Sequence, residues 1–254
     1  MGRVSQLAGK RGSLKWIQRA VNEEWPSLNQ PIVDAVGKDQ AIDWLSPLHS
    51  DDYAEYRDGA FLERLGLGHL RPELASYWPS GGPQWDALGV TSSGTLLLVE
   101  AKAHIAEMCS PGSSASEASL KLIKLRLNET AEALRAKTKR ADWHVVFYQL
   151  ANRLAHLHWL RTQSVDARLV LVNFLNDEEM AGPSSAGEWM AAYHVALHAL
   201  GLSPGHRLAR YVIEVFPDVG GHLSATAGGL SDPVMHAGKA AVLPTSDKSS
   251  ATNP

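Results

Sequence analysis

Four consecutive apolar residues, Leu96-Leu97-Leu98-Val99, run directly into Glu100-Ala101-Lys102. A strand sends alternate side chains to opposite faces, so this run is apolar on both. Only a sheet covered on its two faces buries such a strand completely. The same alternation places Val99, Ala101 and Ala103 on one face and Glu100, Lys102 and His104 on the other. A carboxylate and an ammonium therefore sit side by side at the end of a core strand, an arrangement that is costly unless the charges are paired or bound to a metal.

The rest of the chain supplies the covering layers. Apolar spacing predicts a peripheral helix over Leu14 to Glu24, closed by Trp25-Pro26, and a helix capped by Asp51 or Asp52 that runs to about Leu65 and stops at Gly66 and Gly68. Residues His69 to Trp78 read as a weak strand, PSGGP (Pro79 to Pro83) as a turn, and Gln84 to Thr91 with Gly94 to His104 as a hairpin around Ser92-Ser93-Gly94. Helices are expected at Glu117 to Lys137, Trp143 to Arg161 and Gly187 to Leu200, and strands at Arg168 to Phe174 and Leu208 to Phe216. Helices interleaved with strands and a hairpin indicate an α/β (α+β) domain, a three-layer sandwich with a central mixed β-sheet flanked by helices. The expected organisation is an N-terminal helical extension over 1–50, the α/β domain over 51–218, and a disordered tail over 219–254, which is rich in Gly, Ala, Ser, Thr and Pro.

Composition narrows the function classes. The 254 residues carry a formal net charge of -3, so no global basic field draws in nucleic acid and any such binding needs a local patch. One patch qualifies: Lys121 to Arg140 holds seven basic residues against Glu129 and Glu132. No apolar run approaches the ~18 residues of a bilayer span, so no membrane partner is expected. The basic N-terminus lacks the apolar segment of a secretory leader. With the single Cys109 ruling out an internal disulfide, the expected compartment is the cytoplasm.

The segment PQWDALGVTSSGTLLLVEAKAH (Pro83 to His104) holds the chemistry. The hairpin returns Asp86, the only acid between Glu73 and Glu100, beside the face that presents Glu100 and Lys102. Two carboxylates and a lysine then converge. Carboxylate oxygens hold Mg²⁺ while leaving it most of its waters, the ion acidifies water, and a lysine offsets developing negative charge, which together suit phosphodiester hydrolysis. The bland reading is a half-buried Glu100–Lys102 pair with Asp86 capping a turn.

Asp86 followed by Glu100-Ala101-Lys102 on the next strand, with Pro83 just upstream, resembles the signature of the PD-(D/E)XK nucleases, whose fold is restriction-endonuclease-like. The resemblance implies a core of helix, three-stranded meander, helix and strand over about Asp51 to Phe174. It implies Asp86 and Glu100 as metal ligands for Mg²⁺ or Mn²⁺, the Ala101 carbonyl as a third, and Lys102 as the catalytic lysine. The proline stands three residues before Asp86 rather than next to it. A further metal-side glutamate from the first core helix falls on Glu63, with Glu55 as runner-up. A glutamine early in the helix after the lysine strand falls on Gln149. Gln149, Asn152, Arg153 and His156 share one helical face without an acid, so Gln149 and Arg153 are the expected nucleic-acid contacts.

Other motifs point nowhere specific. His194 and His198 have zinc-helix spacing but lack the glutamate of HExxH, and no phosphate loop or nucleophile elbow occurs. Trp78 and Trp85 read as core residues before base-stacking ones. The expected activity is metal-dependent phosphodiester hydrolysis of DNA, or secondarily RNA, with a homodimer left open. The alternatives are a catalytically silent nucleic-acid- or protein-binding module of the same fold and a metal hydrolase of another substrate.

Overall fold

The computed structural model describes residues 2–37, 41–109, 111–137 and 142–222. The tail beyond 222 and the basic residues Lys139 and Arg140 lie outside the described residues. The chain forms a mixed α/β structure around a five-stranded sheet. In chain order the elements are β1 (Arg3–Val4), α1 (Gly12–Asn22), α2 (Pro26–Val36), β2 (Ile42–Ser46), β3 (Glu55–Tyr56), α3 (Asp58–Arg64) and α4 (Arg71–Tyr77). They continue with β4 (Ala87–Thr91), β5 (Leu96–Lys102), α5 (Glu117–Ala133), α6 (Tyr148–Thr162), β6 (Ala167–Asn173), α7 (Ala186–Ala199) and β7 (Val212–Val215).

The sheet runs β2-β4-β5-β6-β7, with β2, β4 and β5 an antiparallel meander and β6 and β7 parallel to β5. Strand β5 is central and buried along its whole length. Leu97, Val99 and Ala101 pack with Val170 and Val172 under Trp16, Ile17, Leu28 and Ile32 of α1 and α2. Leu96 and Leu98 pack with Leu169 and Leu171 on the opposite face, under α3, α5, α6 and α7. The double burial expected of Leu96 to Val99 is thus achieved with helices on both sides. Among the described residues no helix is long and apolar enough to cross a membrane.

Several local expectations change. Residues 1–50, expected as a helical extension, supply the edge strand β2 and the two helices that cover one whole sheet face. Helix α1 is correspondingly a packed layer rather than a peripheral element, with Trp16 and Ala20 fully buried. The weak strand at His69 to Trp78 is instead a helical turn leading into α4, with Pro72 in the first turn where its missing N–H costs nothing. Leu70 and Leu74 then bury at a spacing of four. The helix expected from Asp51 begins only at Asp58, because Glu55 and Tyr56 pair with β1. Helix α6 begins at Tyr148 rather than Trp143, since Phe147 has a φ of 48°.

Candidate active site

Chain alternation decides which face carries the site. Leu96 and Leu98 face the α6 side, so Glu100 and Lys102 continue on that side beneath α6. Leu88 shares that face and Ala87 the other, which puts Asp86 with Glu100 and Lys102. The β4–β5 ladder ends at Ala87 opposite Val99. Beyond it, the Asp86 N–H donates to the Val99 carbonyl at 3.1 Å, and the Ala101 N–H donates to Asp86 Oδ2 at 2.7 Å. The Lys102 carbonyl accepts from Phe174 N–H on the β6 side, so the alternation directs the Ala101 carbonyl to the opposite side, beside Asp86 where β4 has ended.

Glu100 and Lys102 are nearly buried, 4% and 7% exposed. Lys102 Nζ donates to Glu100 Oε1 at 2.7 Å and to Gln149 Oε1 at 3.0 Å. Arg153 of α6 donates from Nε to Glu100 Oε2 at 2.6 Å and from Nη2 to the Gln84 carbonyl at 2.8 Å. Its guanidinium also lies 4.9 Å from the centre of the Trp85 ring. Glu55 arrives from β3 because the Trp85 N–H donates to the Tyr56 carbonyl at 3.0 Å. Its Oε2 accepts from Gln6 at 3.0 Å and from Gln84.

These groups line one cleft of about 860 Å³, whose mouth is formed by Ser80 to Gly82 and the serine-rich loop Ser113 to Ser116. Its electrostatics are unbalanced. Burial, then the charges of Glu100 and Glu55, push the Asp86 carboxyl well above the usual carboxylate range. Burial also raises Glu55, against the hydrogen bonds from Gln84 and Gln6. At Glu100 burial opposes the charge, but Arg153 and Lys102 together outweigh it and hold the carboxyl below its ordinary value. Burial likewise opposes the Lys102 charge, and Glu100 and Asp86 overcome it, so this lysine stays protonated.

The expected residues separate into two groups. Asp86, Glu100, Ala101, Lys102, Gln149 and Arg153 all line the cleft. Glu63 does not: its carboxylate is 54% exposed and pairs with Arg71 on the surface at 2.5 Å. The acid that reaches the cleft is Glu55, carried by a short strand before the helix. The polar face of α6 is also not an open phosphate-facing surface, because Asn152, Arg153 and His156 are all buried and Arg153 is committed to Glu100. Lacking acids, that face serves instead as the cover that supplies a cation to a buried carboxylate.

Among the described residues no three His, Cys, Asp or Glu side chains already form a ligand shell. The fit to a divalent ion rests on the donor set. Asp86, Glu100 and Glu55 outnumber the two buried cations Lys102 and Arg153, and the Asp86 carboxyl is raised first by burial and then by the charges of Glu100 and Glu55. The Ala101 carbonyl adds a neutral oxygen on the same side. Mg²⁺ keeps several waters and is held by as few as one or two carboxylates, so this set is sufficient. No family model, no curated protein and no solved structure matches the chain.

Proposed function

We propose that the protein is a metal-dependent phosphodiester hydrolase, a nuclease of PD-(D/E)XK type that acts on DNA and secondarily on RNA. The observation that carries this reading is the buried Glu100–Lys102 pair opening, with Asp86 beside it, onto a polar cleft. A core strand gains nothing in stability from ending in two charges that a pair of apolar residues could replace. The antiparallel meander β2-β4-β5 with β6 parallel to β5 supports this reading, with two departures from the expected core: its first strand lies before Asp51, and α3 and α4 stand between β2 and β4.

Asp86, Glu100 and the Ala101 carbonyl would hold Mg²⁺ or Mn²⁺, with Glu55 in the place first expected for Glu63. The bound ion supplies Lewis acidity and acidifies water. Lys102, kept protonated by its carboxylate neighbours, presents a positive charge to the negative charge that grows on the phosphate oxygens. Gln149 accepts from Lys102 Nζ and fixes its direction. The serine and glycine mouth of the cleft offers hydroxyl and backbone donors to a phosphate backbone without base selectivity.

One observation favours the silent binding module: both Glu100 oxygens are already engaged, by Lys102 and by Arg153. Calorimetric titration of Mg²⁺ and Mn²⁺, with cleavage assays on single- and double-stranded DNA and on RNA, separates the two readings. Metal-dependent cleavage that disappears in Asp86→Ala is expected. Nucleic-acid binding without cleavage of any of these substrates would establish the silent module instead.

A further inference from the structure

A second cavity, of about 530 Å³, lies on the other side of the PSGGP loop and shares Pro79, Ser80 and Gly82 with the hydrolytic cleft. At its inner end is His156, only 1% exposed. The His156 ring is surrounded by aromatic groups, with Trp78 at 4.8 Å, Tyr77 at 6.1 Å, Trp85 at 6.3 Å and Phe61 at 6.5 Å between ring centres. Its Nδ1 donates to the Asn152 carbonyl at 2.9 Å, which leaves Nε2 as an acceptor without a donor among the described residues. Burial, reinforced by Arg153, lowers this imidazole to about 3, so Nε2 keeps its lone pair at neutral pH.

The loop shared by the two cavities is fixed from below by Asp58. Asp58, at a φ of 52°, accepts from the backbone N–H groups of Gly81 at 3.0 Å and Gly82 at 2.9 Å. A Cβ on Gly82 would stand 3.3 Å from Trp78 and 3.7 Å from His156 Nε2, inside the space that the lone pair faces. The cavity is lined by apolar Trp78, Pro72, Pro79 and Leu74, with Asp58 and Arg71 as its charged groups. Apolar walls with one buried acceptor suit a heteroaromatic ring carrying an N–H group.

The geometry points to a nucleobase subsite: the cavity beside His156 receives one base of the substrate strand, inserted past Gly82 and donating an N–H to His156 Nε2. This rests on the nuclease reading, since it is a phosphate held in the neighbouring cleft that brings a base to this wall. His156 is a recognition group here and takes no part in bond breaking. The subsite selects bases with an N–H facing Nε2 and rejects an abasic position.

The test uses the full chain without divalent metal. Cytidine and adenosine are titrated calorimetrically, with ribose as control, into wild type, Asp86→Asn, His156→Phe and Gly82→Ala, and the ¹⁵N shift of His156 Nε2 is followed in the three proteins that retain His156. Both nucleosides should bind wild type and Asp86→Asn alike and move the Nε2 signal, and affinity should fall tenfold or more in His156→Phe and in Gly82→Ala. Thermal melts confirm that each variant is folded, and Gly82→Ala leaves the His156 network intact should His156→Phe fold poorly. Failure of both nucleosides to bind wild type, or full affinity in folded Gly82→Ala, would overturn the subsite. An oligonucleotide that binds Asp86→Asn more tightly than its abasic counterpart assigns the base to a strand. Equal binding of those two oligonucleotides, with nucleosides still bound, would make the cavity a free-nucleoside site and overturn the strand assignment. Loss of cleavage activity with nucleoside binding intact would count against the nuclease reading and leave the base site standing.

Discussion

The Arg153 guanidinium holds Glu100 Oε2 at 2.6 Å, with each side chain 5% exposed. Fifty-three positions separate the two residues in the chain, and the contact ties α6 to the end of β5. It fixes the direction of Glu100 and gives its second oxygen a charged partner beside Lys102.

Arg153→Ala should therefore cost about 1.5 to 3 kcal/mol of stability, the usual contribution of a hydrogen bond to a charged group, because Lys102 remains as a counter-ion of Glu100. Mg²⁺ should restore part of that loss if the ion takes over as the counter-charge of Glu100. Urea unfolding of wild type and variant, with and without Mg²⁺, measures both effects. A loss below about 1 kcal/mol would mean that the cleft hydrates Glu100 and that the pair contributes little.

Asp86→Asn should melt higher than wild type at neutral pH without metal. The amide oxygen can still accept from Ala101 N–H, and the repulsion from Glu100 and Glu55 is gone. Because burial and those neighbours raise the folded carboxyl above the ~3.9 of an unfolded chain, its contribution to stability is fully present below about pH 4 and is lost as pH climbs through the raised value. Wild type should fall in melting temperature relative to Asp86→Asn across that window, and Mg²⁺ should close the gap. Parallel curves for the two proteins between about pH 4 and pH 8 would show that Asp86 carries no such strain.

Lys102→Ala should retain most metal affinity while lowering the cleavage rate by about 10² or more, as expected on losing one charge-stabilising group. Asp86→Ala and Glu100→Ala should lose metal binding and cleavage together. Calorimetry paired with single-turnover cleavage distinguishes the two patterns. Equal loss of metal affinity in all three variants would reduce Lys102 to a structural partner of Glu100.

Glu63→Ala should change neither metal affinity nor stability by more than about 0.5 kcal/mol, because its ion pair with Arg71 is solvent-exposed. Glu55→Gln should weaken the metal site, since Glu55 lies in the cleft and acts electrostatically on Asp86. Titrating Mn²⁺ into each variant ranks the two acids directly. A larger effect from Glu63 would return that residue to the site.

What the sequence determined by itself was the central strand and the hairpin that carries it. The unbroken apolar run Leu96 to Val99 demands cover on both faces, and its two-residue alternation carries Glu100 and Lys102 to one side. The hairpin around Ser92-Ser93-Gly94 returns Asp86 to that side, and the core strand β6 was equally legible. The tertiary structure decided what distant segments bring. Strand β2 was silent because an edge strand of five residues has little pattern of its own and is defined by pairing with β4. Glu55 rather than Glu63 enters the cleft because β3 bonds to the backbone beside Trp85, a contact no local spacing encodes. The spacing of Gln149, Asn152, Arg153 and His156 puts them on one face of α6 without saying what that face meets. Only packing over β5 turns Arg153 into a counter-ion and His156 into a buried acceptor, since burial and charge pairing depend on groups remote in sequence and adjacent in space.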